Sequence, residues 1–281
     1  MGQDALLCTV DALIRDMGIA ASLITDSVRY RLRAHIEAAS RVITQGSKRY
    51  FVPTYQAKLF DALGEHVSTY RLSLGKNDLL EIVTLTNGNG TVITAGNYVL
   101  KPDNDYPKVI IQLKTSSGVS WTYNTSWEQA ISVAGFWGYH EGYEGAWIDT
   151  NENVPTGGLT SSATSFTASD ADGKDERYRP RFEDGLYLRI ENEILQVAAV
   201  NTTSNLVTVL RGQQGTTAAA HAQTTDIKSW AVQSDIEQAC LGLSTFYERN
   251  RGTIGEVAQM PDGTEIDLSR APDYVKRTIM A

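Results

Sequence analysis

Cysteine is scarce in this chain: Cys8 and Cys240 are the only two in 281 residues. A pair so widely separated is no disulfide framework, and folding in a reducing compartment is the simpler expectation. Histidine is nearly as scarce. His35, His66, His140 and His221 each stand alone, none at the short spacing from another His or Cys that a zinc site uses. No apolar run approaches the ~20 residues of a membrane helix, so no membrane partner is expected. Met1-Gly2-Gln3-Asp4 lacks the basic start of a signal peptide, and Leu6 stands where a myristoylation motif has Ser or Thr. Positive charge is in deficit, 25 Lys and Arg against 33 Asp and Glu, a formal net charge of −8. That balance argues against gripping DNA through its phosphates, which Lys and Arg do by displacing counterions. It leaves an acidic wall past which DNA can move.

Signatures of catalysis are missing too. Asn87-Gly88-Asn89-Gly90 is too short for a dinucleotide or phosphate loop, no Lys-Ser/Thr follows it, and it reads as a turn. Asp170, Asp172, Asp175 and Glu176 form a fragment of a calcium loop without its closing glutamate, so a solvated loop is expected over 170–176. No catalytic residue, metal ligand or cofactor is expected. Trp137, Glu141, Tyr143, Glu144, Trp147 and Asp149 have the composition of a sugar site, which gives the alternative reading of a carbohydrate-binding or glycoside-acting module. The favoured reading gives Trp137, Tyr139, Tyr143 and Trp147 to a domain junction, because aromatic residues anchor interfaces.

What the chain does have is periodicity. Leu6, Val10, Leu13 and Met17 recur at helical spacing and Gly18 ends the run. Thr25 or Asp26 caps a second helix whose stripe is Leu32, Ile36, Ala39 and Ile43, with Gly46 as its stop. Its other face carries Arg29, Arg33 and Arg41, part of a basic concentration that includes Arg31, Lys48 and Arg49. A third, shorter helix is expected after Pro53, carrying Ala57, Phe60 and Leu63. Period two then takes over. Strands are expected at 70–74, 80–86, 91–93, 97–100, 108–113 and 129–135, forming one antiparallel sheet with a hairpin at Asn87–Gly90. Residues 141–180 read as loops with short strands near Leu159 and Phe166, followed by a hairpin over 185–200 and a strand at 206–210. Helix returns at Ser234, which has capping-box spacing to Glu237, with Ile236, Ala239, Cys240, Leu243, Phe246 and Tyr247 on one face. A link from Gly252 with a hairpin at Asp262-Gly263 leads to a last short helix starting at Pro272.

These elements predict an α+β chain: a discontinuous helical bundle of N- and C-terminal helices, a central antiparallel β-element and an inserted small β-domain. The expected divisions are 1–67, 68–142, 143–232 and 233–281, and the β-material is an excursion between helices that bury their stripes on each other.

The order of parts resembles the head-tail connector, or adaptor, proteins of tailed bacteriophages. The resemblance rests on Ile36-Glu37-Ala38-Ala39-Ser40-Arg41, on Tyr50-Phe51-Val52-Pro53, on Arg71-Leu72-Ser73-Leu74 and on the strand from Ile131 to Tyr139. It continues in Ile236-Glu237-Gln238-Ala239, in Tyr247-Glu248-Arg249 and in Pro272-Asp273-Tyr274-Val275. The segment Glu193–Val197 through Arg211-Gly212-Gln213-Gln214-Gly215-Thr216 to His221 is similar to a β-module of assorted phage structural proteins, so a tail or baseplate component sharing that module is a further alternative. The resemblance implies a non-enzymatic virion protein, assembled in the host cytoplasm and sited at the neck. Such adaptors form a dodecameric ring under the portal, extend the DNA channel without reading sequence, and seat a downstream neck, stopper or tail-terminator protein. On this reading Pro272, Tyr274, Val275 and Ile279 dock into the portal, and Arg29, Arg33, Arg41, Tyr247 and Arg249 face neighbouring subunits.

Overall fold

The computed structural model describes residues 5–250. They form a mixed α+β structure with three α-helices and several antiparallel sheets. They divide into two compact units: residues 5–48 together with 147–250, and residues 49–146.

In the first unit, α1 spans Val10–Met17. The Thr9 side chain caps it by accepting from the Ala12 N–H, and Gly18 closes it in the left-handed region at φ 65°. Helix α2 spans Asp26–Ser47 and is capped by the Thr25 hydroxyl, which accepts from the Val28 N–H. Its buried stripe is Leu32, Ile36, Ala39 and Ile43, as the spacing predicts. Gly46 does not stop it; the helix runs on to Ser47, and Lys48 takes the left-handed terminating conformation. Helix α3 spans Ser234–Arg249 and buries Ile236, Ala239, Cys240 and Leu243. The expected capping box is not made: Ser234 is already helical, Gln233 holds the cap position, and the Ile236 N–H is met by Asp235 instead. Both α1 and α2 pack on α3.

The same unit holds a six-stranded antiparallel sheet. In chain order its strands are β7 Trp147–Asn153, β8 Ser165–Thr167, β9 Tyr187–Ile190, β10 Glu193–Asn201, β11 Leu206–Gln213 and β12 Asp226–Trp230, and their spatial order is β7-β12-β9-β10-β11-β8. Strand β7 falls where a loop was expected, and β12 lies in a stretch to which no element was assigned. Their sequences, Trp-Ile-Asp-Thr-Asn-Glu-Asn and Asp-Ile-Lys-Ser-Trp, are too polar to announce a strand, and each is fixed by its neighbour in the ladder. Phe166, Phe182, Leu188, Leu195, Val207 and Ile227 are among the side chains of its core.

The second unit contains two three-stranded antiparallel sheets where one was expected. Strands β1 Thr54–Phe60, β6 Ile131–Trp137 and β3 Leu79–Thr86 form one, with β6 central. Strands β2 Arg71–Ser73, β5 Ile110–Leu113 and β4 Tyr98–Lys101 form the other, with β5 central. The expected third helix is therefore a strand: residues 54–60 pair with β6 from Thr54↔Trp137 to Phe60↔Ile131. Ladder pairing overrides the helix-like spacing of Ala57, Phe60 and Leu63, and Pro53 precedes a strand rather than a first helical turn. The turn at Asn87–Gly90 is present, with Asn87 N–H bonded to the Thr91 carbonyl at 2.8 Å. Leu72, Leu85, Ile111, Ile131 and Trp137 share one core, so both small sheets bury their apolar faces in it. The predicted hairpin at Asp262-Gly263 and the helix from Pro272 lie outside the described residues.

Candidate functional site

Two constructions stand out in the first unit, and both join residues far apart in sequence. One is the helical clasp. Arg31 on α2 makes a bidentate pair with Glu248 on α3, at 3.0 Å to each carboxylate oxygen. His35 Nε2 lies 3.2 Å from the same carboxylate, and its ring sits 6.1 Å from that of Tyr247. Thr245 donates to Asp16, at the end of α1, at 3.3 Å. The approach to α1 is pinned as well: the Leu7 N–H donates to Ser40 on α2 at 3.0 Å, and the Leu6 N–H to the Tyr187 hydroxyl at 3.3 Å. The thiols of Cys8 and Cys240 meet inside this clasp, 3.3 Å apart, both buried and both free.

The basic face of α2 is largely used within the chain. Arg29 pairs with Asp11 at 2.6 Å and Arg33 with Asp184 at 2.9 Å. Arg15 pairs with Glu183, which also accepts from Thr9 at 2.6 Å. Glu183 and Asp184 lie in the turn two residues ahead of β9, so these arginines tie the helices to the approach to the six-stranded sheet. Burial raises the Asp184 carboxyl above its ordinary value against the opposing pull of Arg33. Of the expected subunit-contact residues, Arg29 and Arg33 thus have acids of their own chain, Tyr247 lies half-buried beside His35, and Arg41 and Arg249 are exposed. Tyr30, Ala34, Ala38 and Val42 run as an exposed row along α2, at four-residue spacing.

The other construction is a buried knot at the β-module motif. Glu193 opens β10 and its side chain is 1% exposed. Arg211 grips it from β11 at 2.7 and 2.8 Å, and the N–H groups of Gly212 and Ala219 donate at 3.0 and 2.9 Å. His221 Nε2 lies 2.8 Å from Glu193, and its Nδ1 lies 2.8 Å from Glu191. Burial works to raise the Glu193 carboxyl, but the bonds from Arg211, Ala219, His221 and Gly212 outweigh it and bring it to about 2. Arg211 also donates to the carbonyls of Thr160, Ala163 and Ala219, so one guanidinium holds two loops. The Arg-Gly-x-x-Gly-Thr motif and His221 are thereby explained as a fastening for the loop after β11. Sequence reading left His221 as an isolated imidazole because its partners lie 28 and 30 positions away.

The aromatic residues assigned to a junction are placed unit by unit. Trp137 is 2% exposed, stacked on Phe60 at 6.1 Å with Lys58 4.4 Å from its ring, and donates to the Gln56 carbonyl at 3.0 Å. Tyr139 donates to Glu141 at 2.7 Å and lies under the Arg49 guanidinium at 4.0 Å. Tyr143 is buried and donates to Glu81 at 2.8 Å. All three belong to the unit of residues 49–146. Trp147 belongs to the other, 4.8 Å from Trp230 with Arg189 at 5.7 Å. The chain crosses between units at 146–147, in the middle of this aromatic run. Buried rings such as Trp137 and Tyr143 cannot stack on a sugar. A recess of about 550 Å³ in the unit of residues 49–146 is lined by Leu59, Leu63, His66, Asn77 and Trp127 and by none of Trp137, Tyr139 and Tyr143.

The acidic loop is partly turned inward. Asp175 is buried and accepts from the N–H groups of Arg177 and Arg179 at 2.8 and 2.9 Å and from Arg179 Nε at 3.1 Å. Among the described residues no group of three or more His, Cys, Asp or Glu could hold a metal ion, and no helix is long and apolar enough to cross a membrane. Pro272, Tyr274, Val275 and Ile279, which the resemblance leads one to expect at the portal, lie outside the described residues. Compared with family models, curated proteins and solved structures, the chain has no significant match.

Proposed function

We propose that the chain is a structural protein of a tailed-phage virion, a head-to-tail adaptor that forms a ring under the portal, extends the DNA channel and seats the next neck component. The observation that carries this reading is the clasp. Helix α3 returns across more than 180 residues of β-structure to pack on α1 and α2, held by Arg31–Glu248 and by burial of both apolar stripes. The packing of these helices supports reading them as the discontinuous helical bundle that the connector resemblance implies. It supplies a stiff body while leaving both the β-material and the C-terminal segment free to be specialised.

A cyclic ring needs two different faces of one subunit to match. With Arg29 and Arg33 engaged inside the chain, the exposed row Tyr30, Ala34, Ala38 and Val42, flanked by Arg41, is the better candidate for one of them. Ala34 and Ala38 let a neighbouring backbone approach closely. The residues from about 252 onward, with Pro272, Tyr274, Val275 and Ile279, dock the ring on the portal. The module of residues 147–232 lies on the outer rim, because a body of that size facing inward would obstruct a duplex ~20 Å across. No enzymatic step is assigned, and in the knot the buried Glu193 is met by Arg211, His221 and two backbone N–H groups.

Size-exclusion chromatography with light scattering, run with and without portal protein, tests the reading. A ring, or a stoichiometric complex with portal, is the expected result. A monomer that ignores portal and binds glycans would replace the adaptor by the carbohydrate-binding alternative.

A further inference from the structure

Cys8 and Cys240 are separated by 232 positions, and the fold brings their sulfurs to 3.3 Å. Cys8 sits between two anchors. On one side the Leu7 N–H donates to Ser40; on the other the Thr9 hydroxyl donates to Glu183 and the Val10 N–H to the Asp184 carbonyl. Cys240 is fixed within α3, and its sulfur lies 3.5 Å from the Ser40 hydroxyl. Neither thiol can leave the other without breaking the packing of α1, α2 and α3. A bonded pair needs the sulfurs at about 2.05 Å, so they must close by roughly 1.3 Å.

Access is built in on one side. Cys8 lines a cavity of about 120 Å³ shared with Arg15, Glu183, Tyr187, Trp230 and Glu237, whereas Cys240 is fully buried behind it. That volume admits molecules the size of water or hydrogen peroxide.

We propose that Cys8 and Cys240 are a modification site, a buried dithiol that hydrogen peroxide converts to an intramolecular cystine. Cys8, which faces the cavity, attacks one peroxide oxygen. The O–O bond breaks, the departing hydroxide takes the thiol proton as water, and Cys8 becomes a sulfenic acid. The Cys240 sulfur then attacks the Cys8 sulfur; the S–O bond breaks, and the second hydroxide leaves as water with the Cys240 proton. Two thiols and one peroxide give one disulfide and two waters: the sulfurs lose two electrons and the peroxide gains them. Access and not acidity selects Cys8 for the first step, since Cys8 lines the cavity and Cys240 does not; acidity bears on the second. Hydrogen bonding to Cys240, together with burial, raises the Cys8 thiol, whereas for Cys240 burial is outweighed by bonds from Cys8 and Ser40, which bring it below the usual thiol value. Cys240 is thus the better resolving thiolate. The product ties the segment ahead of α1 to the middle of α3 and makes the clasp covalent.

The test uses the full chain, reduced, freed of reductant and exposed to hydrogen peroxide, then denatured without reductant. The expected product is a monomer about 2 Da lighter than the reduced chain, with no cysteine open to iodoacetamide, a linked peptide pair containing residues 8 and 240, and full reversal by dithiothreitol. In the C240S variant peroxide adds mass at Cys8 instead of removing it. Both thiols remaining open to alkylation would overturn the proposal, and so would a covalent dimer or over-oxidised Cys8 beside a free Cys240 in the wild-type chain. The wild-type mass decides the matter even if the variant does not fold.

Discussion

Glu193 shows how much one carboxylate can organise. It is enclosed by a bidentate arginine, two backbone N–H groups and an imidazole, and removing it leaves Arg211 buried without its counter-charge. Breaking such a pair costs about 3–5 kcal/mol, so Glu193→Ala is expected to lower the urea midpoint by that equivalent. The pH dependence has a definite sign. The folded value of about 2 lies below the ordinary 4.5, so the Glu193 contribution is complete above about pH 4.5 and is lost as pH falls from there through about 2. Urea midpoints between about pH 5 and pH 3 should fall in the wild type, and fall less steeply in Glu193→Gln. Equal slopes would show that the knot titrates elsewhere. His221 and the Arg-Gly-x-x-Gly-Thr motif were visible as residues in the sequence. Their role was not, because a hydrogen-bond partner 28 positions away leaves no local mark.

Among elements, the central strand β6 and the helix α2 test the two kinds of packing. Gly135 lies in β6 between Gln56 of β1 and Ile82 of β3, and a Cβ there would collide with the Glu81 carbonyl oxygen. Gly135→Ala must push β3 away. It is expected to cost at least about 1–3 kcal/mol, the range for overpacking, and to raise amide exchange selectively in β3 and β6. Ile36 is wholly buried in the α2 stripe. Ile36→Ala is expected to cost about 2–5 kcal/mol in chemical unfolding, and a value near zero would mean that α2 and α3 do not depend on each other. The stripe of α2 was legible in the sequence because a 3.6-residue repeat is local. Strand β1 was misread as helix for the complementary reason: Ala57 and Phe60 stand three apart, as on a helix face, and only the ladder with β6 makes the segment a strand. Strands β7 and β12 escaped notice because their apolar content is low and their partner in the ladder is some 80 residues distant.

At the scale of the whole molecule, the proposed adaptor separates folding from docking. The described body closes its own ion pairs and buries its own stripes, so shortening the chain at its far end should leave that body intact. Deletion of residues 270–281 is expected to preserve the far-ultraviolet dichroism and melting temperature while abolishing capture by portal protein. Undiminished capture would remove Pro272, Tyr274, Val275 and Ile279 from the docking role. The sequence by itself determined the α+β character, the amphipathic helices α1, α2 and α3, the turn at Asn87–Gly90 and most strands, because propensity, capping and side-chain alternation act over a few residues. The tertiary structure alone decided that residues 147–232 form one compact unit with the terminal helices, that the strands of residues 49–146 split into two small sheets, that Arg29 and Arg33 are met within the chain, and that Cys8 faces Cys240. Those are long-range choices. They are fixed by which buried surfaces and charges can be satisfied together, and no window of neighbouring residues contains that information.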